Sequence, residues 1–282
     1  MKIRQILTTS LVVGAFFAST SVLAETTTTM PSTQSTTTTQ TSFTPQQVQD
    51  IQKIVHDYLI SNPNVLVEAS QSLQKQTEQK QEQYAMQAIE KNKQQLFNDP
   101  ASPVAGNKNG DVTLVEFFDY QCGHCKAMNQ VIQNIVKKNE NLRIVFKELP
   151  LFGSNSQFAA KASLASMKQG KYYAFHDALL SADNPLTNDK VLQVAKKVGL
   201  NVKELKKDMN NPEIAKQLRD NFKLAQSLRL IGTPTFVMGN KSLTSFKFIP
   251  GATSQENLEQ LITQVGQSGN GENSTDTSTT TD

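Results

Sequence analysis

The spacing of apolar residues changes from strand-like to helical and back between residues 112 and 146. Residues 112–118 are apolar on both faces, as in a central strand that is covered on both sides. Within 123–139 the apolar positions recur at helical spacing, and 142–146 has the composition of a second strand. The pattern therefore predicts a strand–helix–strand unit.

The second half of the chain begins with a block of helical patterns over residues 154–230. One of its helices has a cap signature at Asn201-x-x-Glu204. A further signature, Thr253-x-x-Glu256, predicts the start of a closing helix.

Strand patterns return between the helical block and the closing helix. They occupy residues 235–238 and 245–249, and a Gly239-Asn240 turn separates them. The predicted order is β-α-β, a helical block, then β-β-α. We therefore expect an α/β fold.

A different helical pattern precedes the α/β region, over residues 43–98. Thr44-Pro45-Gln46-Gln47 predicts a helix start, because threonine can cap, proline suits the first helical position and Gln47 can complete a capping box. Asn62-Pro63 ends this helix. Its apolar residues share one face and are Val48, Ile51, Val55, Tyr58 and Leu59.

Residues 74–95 are rich in Gln, Lys and Glu and carry only a thin apolar stripe. A sparse amphipathic helix needs a partner to be stable in water. Residues 43–98 have two available partners, their own globular domain or a second copy of the chain. The pattern favours the second alternative, a helical extension that forms a homodimer.

The two ends differ in composition from the region between them. Residues 1–24 combine a basic start with an apolar run that ends at Ala24, which is typical of a cleaved signal peptide. A membrane anchor is the competing interpretation, but the run is short and contains Ser and Thr. Residues 25–42, rich in Thr, Ser and Gln, and the polar tail 267–282 predict disorder.

Charge gives no indication of a nucleic-acid partner. The full chain has 28 Lys and Arg residues against 25 Asp and Glu, a net charge of +3. Cleavage removes Lys2 and Arg4 and no acidic residue, which leaves 26 against 25, or about +1. We expect the mature chain to be exported to a compartment where disulfides persist.

The chain has two cysteines, Cys122 and Cys125, separated by two residues. A disulfide across so short a loop removes little entropy from the unfolded chain, so it would be a poor structural staple. Haem attachment requires histidine after the second cysteine, where this chain has Lys126. A tetrahedral metal site would have to recruit His56 and His176 from distant segments. A redox centre fits better than these three.

The position of Cys122 supports the redox interpretation. It lies between the first predicted strand and the helix that follows, where free N–H groups and the helix dipole favour a thiolate. Cys125 lies one turn further along, at a spacing that can close and reopen a disulfide. His124 can add positive charge or a hydrogen bond, although an ordinary exposed helix histidine is the alternative. A stabilised thiolate makes the oxidised pair a stronger oxidant.

Two other features point to the same chemistry. Glu116 interrupts the apolar strand six residues before Cys122. Because burial of a carboxylate is costly, we expect it to accept a proton from Cys125 when that thiol attacks a mixed disulfide. A structural ion pair with a lysine is the alternative. Thr233-Pro234, directly before a strand, marks a turn and in some proteins a cis bond.

These motifs together resemble the DsbA-like thiol–disulfide oxidoreductases of the thioredoxin superfamily, over residues 100–266. The stretches that carry the resemblance are Val115-Glu-Phe-Phe-Asp-Tyr-Gln-Cys-Gly-His-Cys125, Phe146-Lys-Glu-Leu-Pro-Leu-Phe-Gly153, Gly232-Thr-Pro-Thr-Phe236 and Ile249-Pro-Gly-Ala252. The resemblance implies a thioredoxin fold over 99–266 with an inserted helical domain. Residues 43–98 resemble the N-terminal appendage of larger family members.

The resemblance also implies roles for individual residues. Cys122 would be the exposed nucleophile and Cys125 the buried resolving thiol. Thr233-Pro234 would be the cis-proline loop that binds the substrate backbone beside the disulfide, and Glu116 matches the family's buried acid. Gly123 stands where the best-known members have proline, so the oxidising strength does not follow from the family.

The implied function is to form or isomerise disulfides in other exported proteins. The resemblance also implies a location in the periplasm of a Gram-negative bacterium, where the 25–42 leader either reaches the outer membrane or only spaces residues 43–98 from it. The partners would be cysteine-containing exported substrates and a membrane protein that re-oxidises or reduces the enzyme. No metal, flavin or nucleotide cofactor is implied, because the disulfide is itself the redox group. The rival hypothesis is an envelope chaperone or surface-associated binding protein with an incidental Cys-x-x-Cys.

Overall fold

The computed structural model describes residues 43–268, which fall into two units, 43–62 and 63–268. The predicted signal peptide 1–24 and leader 25–42 lie outside the described residues. So does the predicted tail, apart from its first two residues. No helix between residues 43 and 268 is both long and apolar enough to cross a membrane.

The first unit is the helix α1, Pro45–Ser61. The predicted start is confirmed: the Thr44 hydroxyl accepts a hydrogen bond from the Gln47 backbone N–H, and the Gln47 side chain accepts one from the Thr44 N–H. The predicted end is confirmed as well, because Asn62 is the C-cap. None of the residues of α1 is buried within the described part of the chain, so its apolar face is exposed.

The second unit begins with a long helix, α2, Asn64–Phe97. Its first two turns are exposed, and its last part packs against the sheet through Ile89, Leu96 and Phe97. Residues 85–97, which the sequence analysis assigned to the helical extension, thus contribute to the core of the domain that follows.

A five-stranded mixed sheet forms the centre of the second unit. The strands are β1 Val104–Gly106, β2 Val112–Phe118, β3 Leu142–Glu148, β4 Thr235–Asn240 and β5 Phe246–Pro250. Their order in the sheet is β1-β3-β2-β4-β5. β2 and β3 are parallel, as a β-α-β unit requires, and the other neighbours are antiparallel.

Two local strand predictions differ from the structure. β1 was not predicted, because it has only three residues, Val104–Gly106, directly after Pro103, and so short a segment gives no measurable alternation. The predicted turn at Gly239-Asn240 is wrong, since both residues belong to β4 and pair with β2. The turn lies at 241–245, where the Asn240 side-chain oxygen accepts hydrogen bonds from the Thr244 and Ser245 N–H groups.

The predicted helical block is confirmed. It contains α4 Ser154–Ser166, α5 Tyr172–Ser181, α6 Asn188–Lys197, α7 Val202–Asp208 and α8 Pro212–Ser227, with a 3-10 turn at Met167–Gln169. Asn201 caps α7 as predicted. The other two helices are α3 Gly123–Lys138, between β2 and β3, and α9 Gln255–Gln267. The cap of α9 is Ser254, so the prediction of Thr253 is wrong by one residue.

The two faces of the sheet are covered by different helices. On one face Leu114, Phe118 and Phe146 pack with residues of α3, α5 and α9, including Cys125. On the other face Val115, Phe117 and Val145 pack with α2 and α8. β2 is therefore buried on both sides, which is why its sequence is almost continuously apolar.

We expect Phe97→Ala to destabilise the second unit by about 3–5 kcal/mol. Phe97 is only 1 % exposed and its ring lies 5.7 Å from that of Phe246 on β5. The measurement is the free energy of unfolding in urea. Phe152→Ala is the matched control, because Phe152 is 58 % exposed and should lose about 0.5 kcal/mol or less. Equal losses in both variants would contradict the packing of α2 described above.

Candidate active site

The two cysteines lie where β2 passes into α3. Cys122 is the N-cap of α3, with extended backbone angles (φ −71°, ψ 120°), and Cys125 lies in the first turn. Both are free thiols. Cys122 is 5 % exposed and Cys125 is not exposed at all. Cys122 is thus the more accessible of the two, although it is far less exposed than the resemblance implied.

The loop before β4 faces Cys122. The Thr233–Pro234 peptide bond is cis. The Cys122 Sγ–H donates a hydrogen bond to the Thr233 carbonyl oxygen over 3.2 Å. The Thr233 hydroxyl is buried and has no hydrogen-bond partner among the described residues. The structure therefore brings Cys122, Thr233 and Pro234 into one site from segments more than a hundred residues apart.

Glu116 lies on β2 beneath the same site and is 1 % exposed. It takes part in none of the ion pairs of residues 43–268, and its Oε1 atom has no hydrogen-bond partner among them. Burial raises the pKa of this carboxyl to about 8. The alternative of an ion pair with a lysine is therefore not what the structure shows, because the buried Lys147 on β3 binds Asp99 instead.

The charge of Glu116 acts on the Cys125 thiol. Burial is the main cause that raises the pKa of the Cys125 thiol well above its usual range, and the negative charges of Glu116 and Cys122 act in the same direction. A buried thiol of this kind is a poor nucleophile until a base removes its proton. Glu116 is the buried acid of this site whose charge acts on that proton.

Gly123 and His124 are exposed on the first turn of α3. The His124 side chain forms no hydrogen bond or ion pair with any residue that the structure describes. A Cβ atom added at Gly123 would have nothing within 4 Å. Space around the motif therefore does not require glycine between the two cysteines.

The sequence analysis missed the carboxylate of Asp119, which is 1 % exposed. Its Oδ1 atom accepts hydrogen bonds from the Gln121 N–H and the Ser156 hydroxyl, both over 2.7 Å. Its Oδ2 atom accepts from the N–H groups of Leu151 (2.6 Å) and Phe152 (3.2 Å). Asp119 therefore joins the loop before Cys122 to the start of α4. In the sequence, the only indication of this role is that Asp119 is a polar residue directly after an apolar strand.

Several buried polar side chains surround the Tyr120 hydroxyl, and this cluster was not predicted from the sequence either. The Tyr120 hydroxyl lies 2.9 Å from Glu148 Oε1, 2.7 Å from Ser163 Oγ and 3.1 Å from His176 Nδ1. Burial raises the pKa of Glu148 to about 8 and lowers that of His176 to about 3. His176 is thus held neutral inside the domain, and within residues 43–268 no group of three or more potential ligands is arranged for a metal.

Together these features define a thioredoxin-fold protein: a Cys-x-x-Cys pair at a helix start after a central strand, opposite a cis-proline loop. The DSBA-like thioredoxin domain family matches residues 113–263, more than half of the chain, so the chain belongs to this family. Residues 47–80 match a second family, the N-terminal domain of the copper resistance protein ScsC. The N-terminal segment is thus related to a known domain as well.

The matches with solved structures of the same fold span nearly the whole length of each solved chain. A thioredoxin-like oxidoreductase from Silicibacter pomeroyi DSS-3 is 40% identical, with a TM-score of 0.58, and the match covers 62% of this chain and 97% of that one. BcfH from Salmonella enterica Typhimurium is 28% identical, with a TM-score of 0.64, over 78% and 96% of the two chains. ScsC from Proteus mirabilis in a transitional conformation is 29% identical, with a TM-score of 0.58, over 80% and 100%.

Curated relatives match over shorter parts. The probable disulfide bond formation protein D of Bacillus anthracis is 25% identical over 165 residues, which are 54% of this chain and 76% of that protein. The Na(+)/H(+) antiporter NhaA 3 of Salinispora tropica is 26% identical over 140 residues. That match spans only 22% of the antiporter, so it concerns one part of a longer protein.

Proposed function

We propose that this protein is an exported thiol–disulfide oxidoreductase that forms or isomerises disulfides in other exported proteins. One observation carries the proposal: Cys122 is the N-cap residue of α3, and its thiol faces the backbone carbonyl of Thr233 next to a cis-proline. A substrate cysteine bound along this loop would meet the accessible sulfur of the pair. The family membership and the oxidoreductase among the similar structures support the same activity.

In the oxidising direction the Cys122–Cys125 disulfide is the electron acceptor. A substrate thiolate attacks Cys122 Sγ, the bond between the two cysteines breaks, and Cys125 leaves with the electron pair and takes up a proton. A second substrate thiolate then attacks the substrate sulfur of the mixed disulfide and releases Cys122 as a thiolate. The substrate loses two electrons and gains a disulfide, and the enzyme ends with two reduced cysteines.

In the reducing and isomerising directions Cys125 has to attack the mixed disulfide. Its proton must leave first, because the thiolate is the nucleophile. We infer that Glu116 accepts this proton: it is buried on the same face of the sheet, lacks an ion-pair partner within 43–268, and has a pKa of about 8. A carboxylate with a pKa near the working pH is well suited to general acid–base exchange.

The activity is tested by the reduction of insulin and by the refolding of scrambled ribonuclease. The proposal includes two kinds of partner. They are the natural substrate proteins and a membrane protein that resets the redox state of the cysteine pair. We place the protein in the periplasm, because a similar structure is a periplasmic thioredoxin-like protein from Salmonella enterica serovar Typhimurium. If neither insulin nor ribonuclease is changed, the redox role of Cys122 and Cys125 loses its main support.

An envelope chaperone is the second candidate, and the exposed apolar residues of α1 are the observation that favours it. A chaperone needs no thiol, so it would retain full function when both cysteines are replaced by serine. Loss of all measured activity in that double variant would exclude this candidate.

The N-terminal segment is proposed to hold a homodimer together. Large apolar side chains on α1 are exposed, among them Val48, Ile51, Val55 and Tyr58. Leaving such a face in water is unfavourable, and pairing with the same face of another copy would bury it. In a dimer two redox sites act on one substrate. The bulk of the dimer would also hinder re-oxidation of the cysteine pair by a membrane protein. Assembly would therefore favour isomerisation over oxidation.

We expect Ile51→Glu combined with Val55→Glu to shift the full-length protein to monomers. The measurement is the molar mass from light scattering, together with the ratio of ribonuclease isomerisation to insulin reduction. Gln49→Glu with His56→Glu is the matched control on the same exposed helix. A variant that stays assembled, or a wild-type protein that is monomeric at micromolar concentration, would contradict the proposal. Deleting residues 25–98 would be a poorer test, because it removes Ile89, Leu96 and Phe97 from the core.

A further inference from the structure

Lys126 follows the redox pair directly and lies on the same side of α3 as Cys122. Its backbone N–H donates to the Cys122 carbonyl over 3.1 Å, the first hydrogen bond of the helix. Residues four apart in a helix project to the same side. Lys126 is half-buried.

The ammonium group of Lys126 is held by the carbonyl end of α5. Nζ donates to the carbonyl oxygens of Leu179 (3.1 Å), Leu180 (3.4 Å) and Ala182 (2.5 Å). The last carbonyls of a helix lack partners within the helix and carry the negative end of its dipole. They form a cation site built from backbone atoms. Burial lowers the pKa of Lys126 to about 8; Lys190 acts in the same direction, and Asp183 acts against it.

The same part of the helical block also binds the residue before Cys122. The Gln121 side chain accepts a hydrogen bond from the Leu186 N–H (3.2 Å) and donates one to the Leu186 carbonyl (3.4 Å). The Asn184 side chain donates to the Gln121 carbonyl over 3.0 Å. Segment 179–186 is therefore attached on both sides of the Cys-Gly-His-Cys motif. The ammonium is thus bound by a segment that also contacts the residue before Cys122.

We propose that Lys126 is a positioning residue of the redox motif: its ammonium, held by the carbonyl end of α5, stabilises the reduced thiolate form relative to the disulfide. This rests on the proposed function. The disulfide is neutral, whereas reduction leaves a negative charge at the start of α3. A nearby cation therefore favours the reduced state and makes the disulfide a stronger oxidant. The sequence analysis considered Lys126 only as the residue that excludes haem attachment.

Equilibration with glutathione measures this effect. Two glutathione thiols give two electrons to the Cys122–Cys125 disulfide, glutathione disulfide forms, and Cys122 leaves as a thiolate while one proton passes to solvent. We expect Lys126→Met to lower the equilibrium constant for this reduction about 5–10-fold, and a tenfold fall corresponds to about 30 mV. Lys126→Gln retains a hydrogen-bond donor without the charge, and its equilibrium constant should fall as far. Lys126→Arg should stay within twofold of wild type.

Lys137→Met is the matched control, because Lys137 is an exposed lysine in the last turn of α3. It should leave the constant within twofold. If Lys126→Met lowers only the urea midpoint and leaves the constant unchanged, Lys126 has a structural role and the proposal is wrong. If the Met variant does not fold, the Gln and Arg variants make the same comparison. A wild-type protein that does not exchange with glutathione at all would instead overturn the proposed function.

Discussion

Replacing Cys125 by serine is expected to stop turnover and to leave Cys122 joined to its substrate. Cys122 remains the accessible sulfur and can still enter a mixed disulfide, but the thiol that would release it by intramolecular attack is gone. We expect insulin reduction to fall at least 1,000-fold, on the order of the loss when a group that acts in concert with a nucleophile is removed. Non-reducing gels with mass spectrometry would detect the mixed disulfides.

Cys122→Ser is the control for this trapping experiment. It should be equally inactive and should accumulate no mixed disulfide, because Cys125 is fully buried. The assignment of the nucleophile would be contradicted if Cys122→Ser trapped partners and Cys125→Ser did not. Both variants should remain folded, since serine is close to cysteine in size and both sulfurs are free in this structure.

Replacing Glu116 by glutamine is expected to slow the release of the mixed disulfide and to stabilise the fold. Without a carboxylate to accept the Cys125 proton, we expect release to slow about 100-fold, at the lower end of the range for general acid–base catalysis. Glutamine avoids the cost of a buried acid, so the free energy of unfolding at pH 7 should rise on the order of 1–3 kcal/mol. Stopped-flow fluorescence and urea unfolding measure the two effects.

The pH dependence of stability tests the Glu116 assignment independently. The folded-state pKa of about 8 lies above the ordinary 4.5, so the folded protein binds more protons between these values and loses stability as pH rises through them. Each such carboxyl contributes up to about 1.4 kcal/mol per pH unit. His176 acts in the opposite direction, but only between its folded pKa of about 3 and its ordinary 6.5. Lys126, whose pKa burial lowers to about 8, also acts in the opposite direction, mainly above pH 8. The window from pH 6.5 to 7.5 is therefore dominated by the carboxyls.

Glu148 provides the matched control, because burial raises its pKa to about 8 as well. Glu148→Gln should reduce the slope of stability against pH in this window as much as Glu116→Gln does. It should leave the release of the mixed disulfide nearly unchanged, since Glu148 binds Tyr120 and Tyr172 rather than the cysteines. Equal slowing by both variants would show that burial of an acid, and not proton transfer from Cys125, sets the rate.

The parts of the fold that were predictable are those with a continuous local pattern. β2 could be predicted because it is apolar on both faces apart from Glu116, and α3 because its apolar residues recur at helical spacing. The caps at Thr44 and Asn201 could be predicted because a cap is a local hydrogen bond. The point within α2 at which the exposed helix becomes part of the core could not be predicted. Ile89 and Phe97 become core residues only through contacts with strands far along the chain.

The site shows the same division. Only two residues separate Cys122 and Cys125, and their chemistry follows from this spacing and from their place at a helix start. The roles of Asp119 and Lys126 depend on contacts with α4 and α5, which follow later in the sequence. A single aspartate or lysine near the motif has the same local signal as a solvated surface residue. Only the tertiary contacts distinguish them.

The single helix α2 has a geometric consequence for any assembly of this chain. Its 34 residues form one continuous rod of roughly 50 Å at 1.5 Å per residue, and Phe97 fixes one end of that rod in the core of the catalytic unit. A molecule bound at the other end would be kept at a distance set by the number of helical turns. Removing seven residues from 64–84, two turns, would bring it about 10 Å closer while the redox site itself stays unchanged. The length of α2 would therefore set this distance, and it could be changed without altering the redox site.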